Sequence, residues 1–89
     1  MNELVRQDGW FNQLIKDCKD IIVESSFASR WALIEGYHQL GERIIEDLTK
    51  LTQKYKTVDN SLQQVAASLG KSTRSIYYAY AFAKKFPDL

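Results

Sequence analysis

Ser61-Leu62-Gln63-Gln64-Val65-Ala66-Ala67-Ser68-Leu69-Gly70-Lys71-Ser72-Thr73-Arg74-Ser75-Ile76-Tyr77-Tyr78-Ala79-Tyr80 is the stretch on which the fold turns. Ala66, Gly70 and Ile76 stand at the spacing of a helix-turn-helix. Such a unit needs a small residue where the second helix crosses the first, which Ala66 supplies. It needs a left-handed residue in the turn, which Gly70 adopts without a Cβ penalty. It also needs an apolar side chain dropped into the junction, and Ile76 does this beside Val65 and Leu69. Ser72 is placed to cap the second helix. Lys71, Ser72, Thr73, Arg74, Tyr77 and Tyr78 are then the candidate DNA contacts, at the turn and on the outward face of that helix, where a major groove would be met.

Upstream, Lys56-Thr57-Val58-Asp59-Asn60 reads as a polar linker, and before it lies the most regular pattern of the chain. Ile34, Tyr37, Gly41, Ile44, Leu48, Leu51 and Tyr55 recur in steps of three and four, a heptad seam widened by Leu33, Leu40 and Ile45. This predicts one helix over about Ser26 to Lys54. At ~1.5 Å per residue such a rod outgrows a globule of this size, so it either bends at Gly36 or Gly41 or packs on a second copy. Ile34, Tyr37, Gly41, Ile44, Leu48 and Leu51 are the expected dimer interface. A first helix is expected over Trp10 to Glu24, capped by Asp8, with Phe11, Leu14, Ile15, Cys18, Ile21 and Ile22 on one face. A turn at Ser25-Ser26 lets its face meet the seam as a hairpin.

The expected architecture is therefore all-α: one domain over residues 1–89, with a helical hairpin over 10–56 and a helix-turn-helix over 61–87. Composition agrees, since 45% of residues are hydrophobic and 26% charged, and no apolar run approaches the ~18 residues of a membrane span. The first residues lack the basic start and apolar middle of a signal peptide, which predicts a cytoplasmic protein. Cys18 fits the core as a small apolar residue. The net charge of +1 hides an asymmetry: residues 1–49 hold five basic and nine acidic side chains, whereas residues 50–85 hold seven basic side chains against Asp59 alone. A basic C-terminal half calls for an anionic partner.

Catalysis is not expected. His38 and Cys18 are single, which leaves no Cys/His zinc set, and Gly9, Gly36, Gly41 and Gly70 are scattered, which leaves no phosphate loop. No cofactor or metal is expected. Glu35, Glu42, Glu46 and Asp47 read as solvated or paired with Arg43 and Lys50, and His38 as a partly exposed packing residue.

Tyr37-His38-Gln39-Leu40-Gly41-Glu42-Arg43-Ile44, the Ile76-Tyr77-Tyr78-Ala79-Tyr80-Ala81-Phe82 helix and the closing Phe86-Pro87 together resemble the helical N-terminal domain of the YhcG type, over about residues 30–87. In that family the domain precedes a restriction-endonuclease-like nuclease. His38 stands where the family has Trp. The resemblance implies a DNA-associated or self-associating helper domain with a larger protein or nuclease partner. Two readings follow. The first is a DNA-binding helix-turn-helix protein, regulatory or accessory to DNA processing, binding double-stranded DNA as a homodimer. The second is a protein-interaction module on the long helix, with the helix-turn-helix as a packing corner and Tyr77, Tyr78, Tyr80, Phe82 and Phe86 as core. Positive charge with interleaved aromatics favours the first.

Overall fold

A computed structural model describes residues 9–26 and 30–88, with side chains described over 9–24 and 33–88. Among the described residues five helices follow one another: α1 (Gly9–Ser26), α2 (Arg30–Glu46), α3 (Leu48–Tyr55), α4 (Val58–Leu69) and α5 (Thr73–Lys85). The chain is all-α. The expected Asp8 cap lies outside the described residues. The expected turn at Ser25-Ser26 is corrected, since both residues belong to the end of α1; residues 27–29 lie outside the described residues.

The long second helix is corrected: it breaks at Asp47. There the backbone N–H bonds the Ile44 carbonyl at 3.1 Å, an i to i−3 step in place of i−4, and the ladder resumes with Leu51 N–H on the Asp47 carbonyl at 2.9 Å. A charge cluster explains the place. Arg43 donates from Nε to Asp17 of α1 at 3.0 Å and from Nη1 to Asp47 at 3.1 Å, so the carboxylate is drawn back toward the preceding turn. Neither Gly36 nor Gly41 makes the bend. With the rod broken, the fold is held within 39 × 25 × 20 Å.

The joint between α3 and α4 is equally tight, and the expected linker over 56–60 shrinks to two residues. Lys56 takes φ 82° and ψ −50°, and Thr57 N–H reaches the Tyr55 carbonyl at 3.0 Å, which makes a γ-turn of the strained, positive-φ kind. Thr57 then caps α4 by accepting from Asn60 N–H at 3.0 Å. Ser61, fully buried, is satisfied by donating to the Thr57 carbonyl at 2.7 Å.

The core gathers Leu14 and Cys18 from α1, Leu40 and Ile44 from α2, Leu51 from α3, Leu62, Val65 and Ala66 from α4, and Ile76, Ala79 and Tyr80 from α5. Burial pushes the Cys18 thiol up to about 12, so it is a packing group with no thiolate chemistry near neutrality. Among the described helices α2 and α5 pack most extensively on each other. A Cβ on Gly41 would come within 2.7 Å of the Ala79 carbonyl carbon and the Ala83 Cβ. The backbone that approaches Gly41 is thus the chain's own α5 and not that of a second copy.

Candidate nucleic-acid interface

The turn between α4 and α5 is built from local chemistry. Gly70 sits at φ 69° and ψ 30°. Its N–H reaches the Ala67 carbonyl at 3.2 Å and that of Lys71 the Ala66 carbonyl at 3.0 Å. These paired bonds are the Schellman closure of a helix C-terminus. Ser72 accepts from Ser75 N–H at 3.1 Å and starts α5. Ala66 and Ile76 are each 1% exposed and belong with Val65 to one buried cluster.

This places every residue expected to meet DNA on the surface: Lys71, Ser72, Thr73, Arg74, Tyr77 and Tyr78 are all exposed. The aromatic residues of α5 divide in two. Tyr80 is core and Phe82 half-buried, whereas Tyr77 and Tyr78 are 49% and 54% exposed. The reading of all five aromatics as core is therefore corrected, because at 100° per residue positions 77 and 78 fall opposite Ile76, Ala79 and Ala83.

Two residues missed by the sequence reading complete this face. Lys84 and Lys85 are exposed on the last turn of α5, and the steps 74, 77/78, 81 and 84/85 carry them onto the stripe of Arg74 and the tyrosines. That spacing was legible in the sequence. Each cation of the stripe rests on a ring. The Arg74 guanidinium lies 5.6 Å from the Tyr78 ring centre and donates from Nε to its hydroxyl at 3.1 Å. Lys84 lies 5.7 Å from the Tyr80 ring and Lys85 5.6 Å from that of Phe86. Such contacts hold long side chains against the surface while leaving their charge in water. No Asp or Glu occurs between Asp59 and Asp88, so α5 itself carries no carboxylate against these cations.

His38 anchors the far end of α5. It is 5% exposed, and the expectation of a partly exposed residue is corrected. Its Nε2–H donates to the Phe86 carbonyl, its ring meets Phe82 edge-on at 5.6 Å, and its Nδ1 lies 3.4 Å from the Glu42 carboxylate. The imidazole thus satisfies a carbonyl that the end of the helix would leave open.

The expected dimer seam is dispersed. Gly41, Ile44 and Leu51 are buried inside the chain and Leu48 is half-buried, because the break at Asp47 folds the seam onto α4 and α5. Only Ile34 and Tyr37, 37% and 40% exposed, remain at the surface. Among the described residues, no group of three or more His, Cys, Asp or Glu could hold a metal ion, and no helix is long and apolar enough to cross a membrane.

Comparison with protein-family models, curated proteins and solved structures gives no match to this chain. Its own geometry carries the functional argument.

Proposed function

We propose that this protein binds double-stranded DNA through the outward face of α5, with α4, the Gly70 turn and α5 acting as a helix-turn-helix in a regulatory or accessory role. One observation carries the reading: a helix face with Arg74, Lys84 and Lys85 set against rings, two exposed tyrosines between them, and no carboxylate. From Arg74 to Lys85 the face is about 17 Å long, enough to place cations toward both phosphate backbones of a major groove ~12 Å wide. Arg74, near the start of the helix, is suited to a guanine edge or a phosphate. Lys71 and Thr73 are suited to phosphates, helped by the positive end of the helix.

Anisotropy titration with a mixed-sequence duplex tests this. Affinity should fall with salt by about 0.9 log unit per log of salt for each phosphate neutralised. Arg74→Ala should weaken binding several-fold and flatten that slope by about one contact, with helicity retained. Absence of salt-dependent binding at ~50 mM salt would show that α4 and α5 form a packing corner.

A second reading, self-association through the start of α2, is favoured by Leu33, Ile34 and Tyr37, which stay exposed side by side. Sedimentation at high protein concentration decides it: a monomer throughout removes it.

A further inference from the structure

An apolar groove borders the outward face of α5 on its α2 side. Ile34 and Tyr37 form one wall, and Tyr78, Ala81, Phe82 and Lys85 the other. Half of these lining residues are aromatic. On the other side of Tyr37 a second depression is lined by Leu33, Lys71 and Ser75 among others. A lysine therefore stands in each stretch, and the Arg74 guanidinium lies over the Tyr78 ring. Among the described residues, none lining either stretch is a carboxylate.

Aromatic walls with cations along them suit one occupant above others. Any nucleobase offers a π face to stack, and every base brings a phosphate for a neighbouring cation. Tyr78 and Lys85 belong to the groove and to the cationic stripe alike, so a strand held on α5 reaches the groove without leaving the surface.

We propose that the α2–α5 groove stacks unpaired bases of a DNA strand that continues from the duplex held by α5. The protein is then a reader of duplex ends, gaps or forks. The inference rests on the duplex-binding reading, and its test is arranged so that the two fail separately.

A blunt duplex and the same duplex with a short unpaired thymidine tail, 5′ or 3′, are titrated at one fixed salt concentration. One of the tails should bind about tenfold more tightly than the blunt end. Tyr37→Leu keeps apolar bulk but removes the ring. It should abolish the preference while leaving blunt-duplex affinity within about twofold, since Tyr37 lies on α2 and outside the stripe. If circular dichroism shows that this variant fails to fold, Tyr78→Leu replaces it, and the ratio of tailed to blunt affinity remains the readout. Equal affinity for tailed and blunt duplexes overturns the groove assignment and leaves duplex binding intact. Binding of the tailed form alone overturns the duplex reading and keeps the groove. A preference that survives the substitution in a folded variant, or a dimer that Ile34→Glu dissociates, assigns the groove to something else and overturns the proposal.

Discussion

The α4–turn–α5 unit and the α2–α3 segment were both readable as regular patterns, and they differ in what sets their bounds: caps and a turn residue close by in the first, a long-range ion pair in the second. In α4–α5 every local choice agrees. Thr57 and Ser72 cap the two helices, Gly70 takes the left-handed turn, and Ala66 leaves room for Ile76. In α2–α3 the apolar period ran unbroken from Ile34 to Tyr55, while the break came from a residue outside that period. Asp47 is held by Arg43, and Arg43 is held in turn by Asp17 on α1, far away in sequence. A period reports which face is apolar. It says nothing about where a long-range ion pair will interrupt the axis.

The sharpest way to break the contrast is Gly41→Ala. Because the methyl would meet backbone as well as side chain on α5, α2 and α5 must move apart, at a cost of about 3 kcal/mol or more. Chemical denaturation should show either that loss or an unfolded chain, and wild-type stability would mean that the two helices are not in this contact.

Arg43→Ala comes next. It leaves Asp47, only 13% exposed, without its cation, and about 1–2 kcal/mol should be lost. The Arg74→Ala variant, on an exposed stripe, should change the melting temperature little. If both variants melt alike, the break at Asp47 is not held by the cluster.

Gly70→Ala tests the region that local chemistry built. A side chain at φ 69° is strained whatever the space around it, and about 1 kcal/mol should be lost. Gly70→Asn should recover part of this, since Asn tolerates the left-handed region.

The smallest effect is in acid. Hydrogen bonds from Gln13 and then from Arg43 hold the Asp17 carboxyl below its ordinary value of 3.8. A carboxyl with a depressed folded-state pKa contributes stability that is present above its unfolded value and is lost as pH falls through the folded one. Denaturation midpoints should therefore be insensitive to Asp17 near neutrality and decline below about pH 4. Asp17→Asn should remove that part of the acid limb, and an unchanged acid limb would show that the pair does not persist in solution.

The candidate site divides along the same line as the fold. Arg74, Tyr77 and Tyr78 were legible because α5 begins at a cap visible in the sequence and 100° steps do the rest. Lys84 and Lys85 obey the same steps. His38 was not legible, since nothing local says that a histidine on α2 will meet the carbonyl of Phe86.

Sequence alone determined that the chain is helical, where α4 ends at its glycine turn and α5 begins, that Cys18 is core, and that positive charge gathers toward the C-terminal half. Each of these depends on residues within a turn or two of one another, or on composition. The tertiary structure decided that Gly41 serves α5 and not a second chain, that the seam of Ile44 and Leu51 is internal, that the long helix breaks at Asp47, and that Tyr37 and Tyr78 face each other across one groove. Those outcomes depend on contacts between helices distant in sequence, where shape and long-range charge select among arrangements that the same periodicity allows.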